Sequence, residues 1–148
     1  LLSSNISLRM ASTAVQAIHT NRTLKLNSGS SFENAITGTG FDILLGNSQN
    51  NFLSVGAGGG ILVGYAGNDT LLGGSGREIL IGGNGLDSLS GGGEDDILIA
   101  GFTSSDTNDT NLITMYEAWN SSDDYLLRVL LLGDGVGVPP VSLKAKVN

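Results

Sequence analysis

The chain has 148 residues, a net charge of −7, 23 glycines and no cysteine. Disulfides and thiolate metal centres are therefore excluded, and an acidic chain of this length is a poor nucleic-acid binder and one domain with room for a narrow core. No stretch is apolar over the roughly 20 residues that a membrane-spanning helix needs.

From the N-terminus, a nine-residue step links Leu8, Ala17, Leu26, Ala35, Leu44, Leu53, Leu62, Leu71, Leu80, Leu89 and Leu98 without a slip. A period of nine fits neither an amphipathic helix nor an ordinary hairpin. It fits a solenoid in which each nonad gives one turn and one short strand, and stacking buries one apolar residue per strand. Residues 1–36 carry Ile6, Val15, Leu24 and Glu33 at the sixth place of the nonad and no glycine pairs. The alternation Ile6/Leu8, Val15/Ala17 and Leu24/Leu26 predicts longer strands with two inward side chains each. This stretch reads as coils held by packing alone, the alternative being an unrelated helical or disordered arm over residues 1–31.

Over residues 37–101 the turns change chemistry. Gly82-Gly83-Asn84-Gly85-Leu86-Asp87-Ser88-Leu89-Ser90 fits G-G-x-G-x-D-x-U-x at every place, and Gly73-Gly74-Ser75-Gly76-Arg77-Glu78-Ile79-Leu80-Ile81 fits it with Glu for Asp. The nonads starting at Gly64 and Gly91 each miss one glycine. Glycine suits positive φ and close backbone approach, and a sixth-place acid adds the oxygen ligands that a hard cation takes. These four nonads resemble the RTX, or haemolysin-type, calcium-binding repeats.

The resemblance implies a right-handed parallel β-roll, or β-solenoid, with two nonads and two short strands per 18-residue coil and Ca2+ between turns on the same side. Carried over onto this chain, one column of turns holds Asn51, Asp69 and Asp87, with a slot between the turns of Asp69 and Asp87 and a weaker one at Asn51/Asp69. The other column holds Asp42, Gly60, Glu78 and Asp96; Gly60 interrupts it and leaves Glu78/Asp96 as its slot. The turn glycines of these metal sites are Gly64, Gly67, Gly73, Gly76, Gly82, Gly83, Gly85 and Gly91. For Asn51 and Asp42 the alternative is a solvated turn residue.

Outward places add a second pattern. Ile43/Leu45, Ile61/Val63, Ile79/Ile81 and Ile97/Ile99 make one sheet apolar on both faces, whereas the other column has Phe52/Ser54, Thr70/Leu72 and Ser88/Ser90. Strands apolar on both faces belong in covered layers. Residues 102–133 offer the cover: a stripe of Leu112, Ile113, Tyr116 and Trp119 after the cap-like Asp106-Thr107-Asn108-Asp109, then a second helix with Ser121 and Ser122 as caps, Asp123 and Asp124 in its first turn, the stripe Tyr125, Leu126, Val129 and Leu130, and Gly133 as its stop. A neighbouring subunit is the rival cover. Residues 134–148 read as an extended tail. The run from Ile97 to Gly101 with Asp106, Glu117-Ala118-Trp119, Asp124-Tyr125 and Arg128-Val129 looks like a segment that follows the last calcium repeat in large secreted bacterial surface proteins. The start at Leu1 suits a processed product or part of a longer precursor.

An enzyme is not expected. His19 is the single histidine, and no G-x-S-x-G elbow or H-E-x-x-H zinc motif is present. The expected function is a non-catalytic, secreted calcium-binding structural module of a bacterial cell-surface, adhesin-like or matrix and fibre protein. The alternative is an accessory calcium-folding β-roll of a larger secreted toxin or hydrolase. Expected partners are further copies, joined end to end through strand edges or through the apolar sheet, and cell-surface or matrix components.

Overall fold

The computed structural model of the chain describes residues 17–18, 23–25, 33–122 and 125. Ten strands precede one helix: β1 (Ala17–Ile18), β2 (Thr23–Lys25), β3 (Asn34–Thr37), β4 (Phe41–Leu45), β5 (Phe52–Ser54), β6 (Gly59–Ala66), β7 (Thr70–Leu72), β8 (Glu78–Asn84), β9 (Ser88–Ser90), β10 (Ile97–Ile99) and α1 (Asp109–Trp119). Odd strands form one sheet in the order β1-β3-β5-β7-β9, and even strands form the other in the order β10-β8-β6-β4-β2. Every pairing is parallel and joins a strand to the one a full coil away. Consecutive strands therefore face each other across a core, and the product is the β-solenoid expected from the nonad.

The glycine turns hold the coil length constant. From β3 onward partners lie 18 residues apart, as in Asn34↔Phe52, Phe52↔Thr70, Thr70↔Ser88, Ile61↔Ile79 and Ile79↔Ile97. Upstream the expected register does slip. Ala17 pairs with Ile36 rather than Ala35, and Leu24, not Leu26, pairs with Leu44, so these steps are 19 and 20 residues. The turns there lack the glycine and acid places that lock a turn to its neighbour, and loop length is free to drift. The expectations for residues 1–16, 19–22 (with His19), 26–32, 123–124 and 126–148 lie outside the described residues.

The inward ladder forms one core. Ala35, Leu44, Leu53, Leu62, Leu71 and Leu80 are at most 1% exposed and cluster with Val55. Leu89 only packs against that cluster, and Leu98 is 48% exposed, because among the described residues no further coil lies beyond it.

The second core lies outside the even-numbered sheet. Ile43, Leu45, Ile61, Val63, Ile79 and Ile81 are buried against Leu112, Met115, Tyr116 and Trp119 of α1. The cover comes from the same chain, as one of the two readings had it. Met115 joins the stripe in place of Ile113, which is only partly buried, since spacing of three and four along a helix defines one face better than adjacent residues do. Asn108 caps the helix by accepting a hydrogen bond from the Asn111 N–H at 3.1 Å, and Asp109 sits at the positive end of its dipole.

Four successive coils hold α1 through the fifth place of one turn column. The Phe41 ring stacks on Tyr116 at 4.3 Å, and Gly59 leaves room for the Tyr116 hydroxyl. The Arg77 guanidinium donates to the Ser121 carbonyl at 3.2 Å, and the Trp119 indole donates to the Asp95 carbonyl at 2.9 Å. Beyond the helix, the Tyr125 ring meets Trp119 edge-on at 5.8 Å.

Candidate metal centre

The sixth-place acids have a shared geometry. One carboxylate oxygen accepts the backbone N–H of the sixth residue one coil earlier: Asn51 donates to Asp69 Oδ1 at 2.7 Å, Asp69 to Asp87 Oδ1 at 2.9 Å, and Glu78 to Asp96 Oδ1 at 2.9 Å. These bonds tie successive turns together. The remaining oxygens Asp69 Oδ2, Asp87 Oδ2, Glu78 Oε1 and Glu78 Oε2 are buried with no hydrogen-bond partner. A buried acceptor left unmade costs about 1–3 kcal/mol, and more when charged, so a fold that aligns several of them needs a positive partner.

The first-place glycines show where that partner fits. A Cβ on Gly64 would run into Asp69 Oδ2 and stand 2.5 Å from the Gly82 carbonyl oxygen, and one on Gly73 would meet the Gly91 carbonyl and Glu78 Oε2. Each point is lined by a carboxylate of one turn and a carbonyl of the next. All the donors are oxygens, the set that Ca2+ takes, and a side chain at either glycine would fill the space. The structure thus brings Asp69 to the Asp87 turn, and Glu78 to the Asp96 turn. Among the described residues no three acidic or histidine side chains gather at one point, so backbone carbonyls must supply much of any coordination.

The turn glycines divide into two kinds. Gly64, Gly73, Gly82 and Gly91 face the acids, whereas Gly67, Gly76, Gly83 and Gly85 face a backbone carbonyl of the coil before and let the turns pack. Gly83 and Gly85 also have φ of 101° and 142°, which side chains rarely adopt.

Two slots on the N-terminal side differ. Asn51 Oδ1 accepts the Asn47 N–H at 2.8 Å while Asn51 Nδ2 donates to Asn47 Oδ1 at 3.3 Å, so that turn already satisfies its sixth-place side chain. In the other column the buried Val55 stands at the first place and directs Cγ1 towards Gly60, 3.0 Å from where a Cβ would lie. A methyl group there fills the space left by the missing acid. Val55 escaped the sequence reading, although a first-place Val opposite a sixth-place Gly is a compensating pair. Asp42 is fully buried in the preceding turn.

Burial raises the acids' affinity for protons. The Asp69 carboxyl is pushed up to about 6, first by desolvation and then by the Asp87 charge, against a lowering pull from the Asn51 amide. Glu78 is pushed up to about 8 by desolvation first and next by the neighbouring Asp96 carboxyl, with the amides of Gly74 and Gly76 pulling the other way. Without a cation the folded state therefore binds protons more tightly than the unfolded state. That stability is fully present below the ordinary carboxyl range and is lost as pH rises through about 6 for Asp69 and about 8 for Glu78. In chelator, thermal melts followed by circular dichroism are expected to shift upward from pH 8.5 to pH 5; a flat or opposite trend would refute burial of these acids.

The family model of the RTX calcium-binding nonapeptide repeat (4 copies) matches residues 28–62, 56–89 and 72–102. Neither the curated proteins nor the solved structures give a match. The matched segments cover both turn columns and half of the chain. With orphaned acids facing carbonyls at the motif's own positions, the chain belongs to the RTX calcium-binding nonapeptide repeat family, whose repeats bind calcium ions.

Proposed function

We propose that this β-roll is a non-catalytic structural module of a secreted bacterial surface, adhesin-like or matrix protein, made rigid by calcium outside the cell. The observation that carries the reading is the set of unpartnered buried oxygens on Asp69 and Glu78, each beside a carbonyl of the next turn. Two ions follow, one held by Asp69 with the Gly82 carbonyl and one by Glu78 with the Gly91 carbonyl. The turn around Asn51 closes with its own amide bonds and needs none. RTX repeats occur in secreted bacterial proteins, and no helix among the described residues is long and apolar enough to cross a membrane.

Calcium supplies the positive charge that these turns lack. The chain's residues orient the carboxylates through the inter-coil N–H bonds, and the two cores exclude water from the inner side of each turn. Few carboxylates serve each slot, and affinity in oxygen sites falls as the negative charge of the ligands falls. Isothermal titration is expected to give dissociation constants of about 10⁻⁴ to 10⁻³ M, the range of extracellular modules. Asp69→Asn and Glu78→Gln should each remove one ion equivalent. Nanomolar binding would mean loading before export and would sink the extracellular reading.

A further inference from the structure

The calcium column does not stop with the last repeat. Beyond β10 the chain enters Ala100-Gly101-Phe102-Thr103-Ser104-Ser105, which has no sixth-place acid and fails the nonapeptide pattern. Its backbone nevertheless continues the stack: the Gly83 N–H donates to the Gly101 carbonyl, 18 residues on, at 2.9 Å, the spacing of one coil. A Cβ on Gly82 would lie 2.5 Å from Asp87 Oδ2 and 2.9 Å from the Ala100 carbonyl oxygen. This is the arrangement of the Gly64 point, where Asp69 Oδ2 meets the Gly82 carbonyl. Asp87 Oδ2 is buried and has no hydrogen-bond partner.

The loop is shaped by its own bonds. The Thr103 N–H and hydroxyl donate to the two Asp106 oxygens at 2.9 and 2.5 Å, the Ser105 N–H donates to the Thr103 hydroxyl at 3.0 Å, and Tyr65 donates to the Asp106 carbonyl at 2.9 Å. These contacts hold the Ala100 carbonyl over the Asp87 turn. In the opposite column, the three nearest atoms to the Cβ point at Gly91 all belong to Asp96.

We infer that the Asp87 carboxylate and the Ala100 carbonyl form a further calcium slot, closed by a loop that belongs to no repeat and leads into α1. The inference rests on the calcium reading above. A slot needs an acid from one turn but only a carbonyl from the next, so a non-repeat loop that keeps the coil's path completes it. The ion there anchors the loop that carries the Asn108 cap, and so fixes where α1 begins.

Asp87→Asn tests this, because Asn keeps an oxygen to accept the Asp69 N–H while removing the charge from the slot between Asp87 and Ala100, and it leaves the Gly82 carbonyl of the Asp69 slot in place. Native mass spectrometry in saturating calcium is expected to show one ion fewer than in the unaltered chain, with the circular dichroism spectrum retained. An unchanged count overturns the inference and leaves the two repeat slots standing. A count of zero in the unaltered chain overturns the calcium reading as well. Should Asp87→Asn not fold, crystals of the unaltered chain soaked in a lanthanide decide it. An anomalous peak about 2.3–2.6 Å from Asp87 Oδ2 and the Ala100 oxygen supports the slot, and peaks confined to the repeat turns refute it.

Discussion

Removing calcium with excess chelator at pH 7.5 is expected to lower the melting temperature by roughly 20 °C. In a starting buffer of about 10–100 mM calcium, 100 times the dissociation constants expected above, each ion stabilises the folded state by about 2.7 kcal/mol, so two contribute about 5 kcal/mol. A domain has about 5–15 kcal/mol in total, and for a small domain 5 kcal/mol corresponds to about 15–30 °C. Without the ion, Asp69, pushed up only to about 6 and so ionised at this pH, is repelled by Asp87 with its desolvation uncompensated, whereas Glu78, pushed up to about 8, largely takes up a proton beside Asp96. The loss should concentrate in coils 64–101. The preceding turns close with the Asn47–Asn51 amide bonds and the Val55 side chain, which need no ion. Trp119, the single tryptophan, donates to the carbonyl of Asp95 beside Asp96, so its fluorescence should move to the red as the last coils open. Calorimetry and fluorescence showing one melting point with and without chelator would refute ion-dependent stacking.

The second large effect is expected from Leu62→Ala. Leu62 lies in the middle of the inward ladder, fully buried between Leu44 and Leu80 on its own sheet and facing the opposite strands. Neighbouring coils are fixed by strand pairing on both sides, so the cavity cannot collapse. Leu→Ala in such a place costs about 2–5 kcal/mol, equivalent to roughly 6–30 °C in a chain of this size. The same truncation at Leu98, which is half exposed, should be close to neutral. Equal losses at the two positions in urea titrations would show that the ladder is not what holds the coils together.

Much of this was legible because each coil repeats the same chemistry. From Gly64 to Leu98 a first-place glycine, a sixth-place acid and a ladder leucine return at fixed places, so one nonad explains the others in that stretch. Legibility fails where that chemistry lapses. The nonad puts Leu26 in line with Leu44, and only the folded register pairs Leu24 with Leu44 instead. Asn51 sits at the ligand place yet is already bonded to Asn47, while the Ala100 carbonyl has no side-chain signature and is visible only once the backbone path is known. The same holds for the seat of α1. Phe41, Gly59, Arg77 and Asp95 occupy a place where the motif accepts any residue, and their common role appears only when the coils align them.

That seat has a mechanical consequence. In a stack whose coils touch only their neighbours, tension along the axis peels one coil at a time, and each 18-residue coil releases up to about 60 Å of chain. The helix and the turn after it grip four coils at Phe41, Gly59, Arg77 and Asp95 and so cross the peeling steps between them. Those coils cannot lengthen until the helix lets go, so this part of the stack bears load as a splinted unit and then yields abruptly.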